Sequence, residues 1–166
     1  MRPKNLLTSL TVVTCLAFAA SPGWTAPMHP GASTSGPRET APELDGFEPI
    51  PWLAGVHFDF DKSNIRPADA RILDRDVKWL KANSDVKVAI DGGADQRGSM
   101  TYNQKLSERR ARAVRVYLVA RGIAADRIVE VGYGEKVLAC RGAGGACWQK
   151  NRRADFLVKS PDKQSP

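Results

Sequence analysis

Between residues 92 and 111 the chain reads GGADQRGSMTYNQKLSERRA, a glycine-punctuated loop running into a helix, and the fold hangs on that junction. Just upstream, VKVAID (86–91) is rich in β-branched residues and flanked by turn formers, which predicts a strand. Downstream, Tyr102, Leu106, Val114, Tyr117 and Leu118 recur at helical spacing, which predicts a helix over 101–121 with Gly122 at its C-cap position. Arg110 falls on the same apolar stripe. A guanidinium cannot shed its proton to enter an apolar face, so the pattern demands an anion nearby.

Working outward, LAGVHFDF (53–60) alternates and reads as a first strand, and DKSNIRP turns the chain with Pro67 set for a first helical turn. The helix that follows runs to about Ala82, with Ile65, Ala68, Ile72, Leu73, Val77 and Leu80 as its buried face. RIVEVGYG (127–134) is a third strand and RADFLV (153–158) a fourth. Strands alternating with helices of this length predict an α+β two-layer sandwich, a mixed four-stranded sheet packed under two main helices, with crossovers linking the first three strands.

The N-terminus is of another kind. Arg2 and Lys4 precede an apolar run over 6–20 that is too short and too threonine-rich to span a bilayer, which predicts a secretory signal over 1–20. Two processing routes stand open: cleavage after Ala19, giving a soluble periplasmic protein, or cleavage before Cys15 with lipidation of that cysteine. Thr14 departs from the small residue expected just before a lipidated cysteine, and the apolar run continues past it. Residues 21–51 are dense in proline and glycine, without period 2 or 3.6, and read as a flexible tether; the folded unit is expected over 52–160, with a disordered tail over 161–166.

Export places Cys140 and Cys147 in an oxidising compartment, where an even pair in CRGAGGAC predicts a disulfide stapling a loop. Neither His29 nor His57 has the partner spacing of a metal site or a catalytic dyad, so no metal or cofactor is expected. The net charge of +7 suggests nucleic acid at first sight, but an exported protein meets other polyanions first, so no nucleic-acid partner is expected.

Candidate chemistry gathers in the loop. Asp91 closes the strand, whereas Asp95, beside Ala94 and the glycines, faces the crevice that loops at the C-terminal ends of such strands line. Two readings of Asp95 with Arg110 follow: a plain ion pair tying helix to loop, or a two-point clamp on a zwitterion, guanidinium to carboxylate and aspartate to ammonium. Asp59 with Asp61, or Asp91 with Asp95, could in principle act as acid and base, but no nucleophile, metal triad or evident cause of a raised pKa accompanies them, and an enzyme is not expected.

VHFDFDKSNIRP, GGADQRGSMTYNQKLSERRARAVRVYL, VGYGE and CWQKNRRADFLV, in that order and spacing, resemble the OmpA-like peptidoglycan-binding family, and within it the branch of peptidoglycan-associated lipoproteins. The resemblance covers 52–159. It implies non-covalent binding of peptidoglycan through the meso-diaminopimelate of the stem peptide, with Asp95 holding the ammonium and Arg110 the carboxylate. It further implies that Phe60 and Asp61 border the ligand through their backbone, that Arg97, Asn103 and Leu106 complete the pocket, and that Arg153 lies near it, orienting Asp61 or the loop. A TolB-like periplasmic partner, an outer-membrane anchor through Cys15 and a role in a Tol-Pal system in envelope integrity and cell division follow from the same resemblance. The alternative is a soluble periplasmic protein acting mainly as a protein-docking module. One departure stands out: Gly93 occupies a position where the family carries a polar or aromatic side chain, so a looser loop and weaker binding are expected.

Overall fold

The computed structural model describes residues 44–161. The expected signal peptide, Cys15, the tether as far as residue 43 and the tail beyond residue 161 lie outside the described residues.

The elements in chain order are β1 (Val56–His57), α1 (Pro67–Ala82), β2 (Lys87–Gly92), α2 (Met100–Ala120), a 3-10 turn (Ala125–Arg127), β3 (Ile128–Gly132), α3 (Gly145–Asn151) and β4 (Arg153–Lys159). The sheet has the order β1-β4-β2-β3. β2 and β3 are parallel across the α2 crossover, while β4 runs antiparallel to both β1 and β2 and slots between them. The mixed sheet and the helices expected from the alternation are therefore present, together with α3, which the glycine-rich cysteine segment concealed.

Alternation along the strands sorts the side chains. Val56, Phe58, Val88, Ile90, Ala154, Phe156 and Val158 face the helices and pack with Leu73, Val77, Leu80, Val114 and Leu118 in the main core. Burying each such aliphatic side chain is worth roughly 1.5–3 kcal/mol. Ala89 and Leu157 face the other way and are covered by Leu44, and Glu48 bridges to Val158. The packed body thus begins before the 51/52 boundary that composition suggested.

Two elements differ from expectation. β1 is only two residues long, because the chain turns at once: Lys62 N–H donates to the Asp59 carbonyl, and Asp61 adopts φ +58°, a left-handed conformation that suits a short polar side chain. On α1, Ala68 is exposed and Ile65 and Ile72 are only half-buried, while Asp69 and Asp76 are buried beside Leu73, Val77 and Leu80. Their carboxylates accept the backbone N–H groups of His57 (3.0 Å) and Ala54 (3.4 Å), so the helix caps the outward edge of β1 that no strand covers. Arg127 closes the other end of α1, donating to the carbonyls of Leu80, Asn83 and Val86.

α2 approaches the sheet very closely. Gly92 and Gly132 are register partners at the ends of β2 and β3, and a Cβ at Gly132 would lie 2.6 Å from Glu108 N and 2.7 Å from Ser107 Oγ. Only glycine there lets the middle of α2 rest on the strand ends, and that contact fixes the height of Arg110 above the loop.

Candidate functional site

The loop leaving β2 is held by backbone bonds on both sides. Gly93 N–H donates to Arg153 O (2.9 Å) and Ala94 N–H to Gly134 O (2.7 Å), which delivers Asp95 to the mouth between sheet and helix. Ser99 caps α2, its hydroxyl accepting the Tyr102 N–H (3.2 Å). Asn103, Leu106 and Arg110 then follow at helical spacing on the face that looks back at the loop, and Asn103 Nδ2 donates to the Asp95 carbonyl (3.0 Å).

Arg110 is 0% exposed and is the largest fully buried side chain of the described residues. Its partners are not the anion the sequence demanded. Nε donates to Lys62 O (2.9 Å), Nη1 to Gly93 O (2.8 Å) and Nη2 to Asp59 O (3.2 Å), and the Phe58 ring lies 5.2 Å away. Carbonyl dipoles from two loops substitute for a counter-ion. Burial lowers its pKa to about 10, with the charge of Asp95 acting the other way, so it remains a cation at neutral pH. Three of its five N–H groups are spent and two are unused.

Asp95 is 4% exposed and pairs with Arg97 (Oδ2–Nη2 2.8 Å) and Arg152 (Oδ2–Nη1 3.2 Å). The direct ion pair with Arg110, one of the two readings of these residues, is therefore not made. Burial pushes the Asp95 carboxyl upward, but hydrogen bonds from Arg97 and Arg152 outweigh it and hold the pKa below the ordinary carboxylate value. Arg97 is itself sandwiched, its guanidinium 3.9 Å from the Phe60 ring centroid and 4.3 Å from that of Trp148.

A cavity of about 180 Å³ is lined by Phe60, Asp61, Asp95, Arg97, Gly98, Tyr102, Asn103, Leu106 and Arg110. It is smaller than the roughly 300 Å³ of a typical small-molecule site and suits an end group rather than a whole ligand. Seven of the eight residues that the resemblance put at the site line it. Arg153 does not. It lies on the sheet face away from the helices, where Nε binds Asp155 Oδ2 (2.7 Å). Its neighbour Arg152, one residue earlier and so on the opposite face, reaches Asp95 and also donates to Phe58 O (3.0 Å).

Gly93 belongs to that far face as well. A Cβ there would meet Asn151 O at 3.0 Å and Arg153 Nη1 at 3.1 Å, not the cavity. Its N–H donates to Arg153 O and its carbonyl accepts from Arg110 Nη1. Three contributors went unnoticed in the sequence. Tyr102 falls on the apolar stripe but is 42% exposed and donates its hydroxyl to Asp61; Trp148 and Arg152 follow the cysteine segment, in a stretch too short to show periodicity. The RR doublet at 152–153 was the available signal, and only the strand register chooses between its members. The cysteines do pair, Cys140 with Cys147 at 2.03 Å.

A buried helix arginine and an aspartate on the loop that leaves a central strand line one small cavity of an α+β module. The chain belongs to the OmpA family, whose model matches residues 57–152. It is 43% identical over 99 residues to the peptidoglycan-associated lipoprotein of Pasteurella multocida, a match covering 60% of this chain and 66% of that protein, so about a third of the relative lies outside it. The crystal structure of the peptidoglycan-associated lipoprotein from Burkholderia pseudomallei superposes with TM-score 0.62 at 31% identity, over 63% of this chain and 89% of that one. The C-terminal domain of Helicobacter pylori MotB shares the fold, with TM-score 0.62 at 18% identity over 67% of this chain and 87% of that one.

Proposed function

We propose that this domain binds peptidoglycan non-covalently by gripping the amino-acid end of meso-diaminopimelate in the stem peptide, and performs no catalysis. The observation that carries the reading is that buried Arg110, which spends three of its five N–H groups among the described residues, lines the same small cavity as the Asp95 carboxylate. A ligand carboxylate can accept the remaining two N–H groups side by side, and a ligand ammonium three bonds away can donate to Asp95. Because both protein groups are buried, each is worth more than it would be in water. Phe60 and Asp61 border the entrance, while Asn103 and Leu106 form the wall between the two charges.

On this reading the domain ties the outer membrane to the cell wall as part of a Tol-Pal system that supports envelope integrity and cell division, at the periplasmic face of the outer membrane if Cys15 is lipidated and in the periplasm otherwise. The names of the relatives support the wall and the lipid anchor. A TolB-like partner is supported by Phe60, 57% exposed at the cavity mouth beside Tyr102, which leaves an aromatic rim for a protein surface to cover.

The test is sedimentation with purified sacculi. Wild type co-sediments, Asp95→Asn and Arg110→Lys do not, and no soluble muropeptide is released. Lysine lacks the carboxylate assigned to Arg110, so a lysine stem peptide should bind at least about tenfold more weakly than the diaminopimelate form. Equal affinities would sink the reading. Mass spectrometry of the mature N-terminus decides between the two fates of Cys15.

A further inference from the structure

The Asp95 carboxylate is already full. Oδ1 accepts the Arg97 backbone N–H (3.1 Å) and Arg97 Nε (3.2 Å), and Oδ2 accepts Arg97 Nη2 (2.8 Å) and Arg152 Nη1 (3.2 Å). A carboxylate offers about four lone-pair positions, so an incoming ammonium finds none open. One of the two arginines has to yield.

The surroundings choose which. Arg152 is buried and anchored independently, donating Nε to Phe58 O and Nη2 to Gln149 Oε1. Arg97 stands at the rim with its side chain 35% exposed, and among the described residues its guanidinium has no hydrogen-bond partner besides Asp95. Apart from Asp95 itself, it is held by stacking between Phe60 and Trp148. Gly98 follows it with φ +108°, a backbone conformation that glycine adopts without steric cost.

We infer that Arg97 is an internal stand-in for the ligand: its guanidinium occupies Asp95 in the free protein and must be expelled before a ligand cation can enter, while Arg152 holds the aspartate in place throughout. This rests on the reading of Asp95 as the ammonium site. It casts Arg97 as the residue that sets the demand for a zwitterion. A ligand with both charges satisfies Asp95 with its ammonium and offers its carboxylate to Arg110 and to the displaced Arg97. A plain amine separates the Asp95–Arg97 pair and leaves the expelled guanidinium without an anion.

Two measurements on the folded domain test this. The first titrates a soluble stem peptide ending in meso-diaminopimelate, and its lysine counterpart, into wild type and Arg97→Gln. With the latch removed, the diaminopimelate peptide binds about fivefold tighter or more, the lysine peptide gains more than that, and the preference between them shrinks. If Arg97→Gln binds no tighter than wild type, the latch is overturned and Arg97 is a simple ligand contact or a bystander. The second follows the Nε–Hε resonance of Arg97 by NMR in wild type. Saturating peptide should shift it and speed its exchange with water; an unmoved, protected resonance alongside shifted Arg110 resonances overturns the latch alone. If neither protein binds the peptide and no Arg110 resonance moves, the reading of the site falls and takes the latch with it.

Discussion

A guanidinium with no exposed surface has to be solvated by the protein itself, and Arg110 achieves this with three carbonyl oxygens drawn from two loops. The fork geometry matters, since a lysine ammonium cannot reach Lys62 O, Gly93 O and Asp59 O together. Arg110→Lys should therefore lower stability by about 3 kcal/mol, as read from urea unfolding, besides abolishing peptide binding. The sequence revealed the cation on the apolar stripe but not its partners, because carbonyl groups carry no residue-type signature. The reading as an ion pair with Asp95 failed for that reason. Asp76 provides a second test at this scale. Burial raises its pKa to about 7, and Oδ2 has no hydrogen-bond partner among the described residues. The folded state thus favours the protonated acid, and its contribution to stability is complete below the unfolded pKa of about 4 and lost as pH rises toward 7. Asp76→Asn keeps an acceptor for the Ala54 N–H without the charge. Between pH 5 and pH 8 the variant should lose about 1–3 kcal/mol less stability than wild type, and parallel curves would show that Asp76 does not titrate in this window.

At the scale of elements, α2 was legible because its apolar residues keep one helical phase through Leu106, Val114 and Leu118, all of which are buried. α1 was legible as a helix, but its inner face was misjudged. Aspartates usually mark a solvated face, and only the bare edge of the two-residue β1 gives Asp69 and Asp76 a reason to turn inward. α3 stayed hidden because its 7 residues are too few to show a period. This short helix still bears on the site: it carries Trp148, which stacks on Arg97, and it leads into Arg152, which holds Asp95. The disulfide pins it, and Asn151 reinforces the attachment by bonding both the N–H and the carbonyl of Cys140. Closing so short a loop is worth roughly 2.5 kcal/mol. Cys140→Ser with Cys147→Ser should lower stability by about that amount and weaken Trp148 stacking, seen as a red shift of its emission. An unchanged spectrum with the stability lost would uncouple the staple from the site.

At the scale of the molecule, the alternation of strands and helices gave away the two layers and the α2 crossover, but not the insertion of β4 between β1 and β2. Strand order is a matter of which edges remain open, and no local pattern records it. The net charge of +7 was equally mute about its target until the surface could be mapped. Lys105, Arg109 and Arg112 are exposed along one face of α2, with Glu108 among them, beside a shallow groove that Glu130 also lines, outside the cavity that holds Arg110. Such a row lies in water, where attraction to the many carboxylates of a cell wall is screened beyond about 10 Å at 0.1 M salt. The clamp proposed at Arg110 and Asp95 is buried and so is far less exposed to screening. Raising salt from 50 to 500 mM should therefore change the affinity for a soluble stem peptide by no more than about threefold, while retention on sacculi falls by about tenfold or more. Reversing the row with Lys105→Glu, Arg109→Glu and Arg112→Glu should reproduce the high-salt retention at low salt and leave soluble-peptide binding nearly intact. Equal salt dependence for peptide and sacculus would mean that the clamp alone sets wall affinity and that the basic face of α2 serves another purpose.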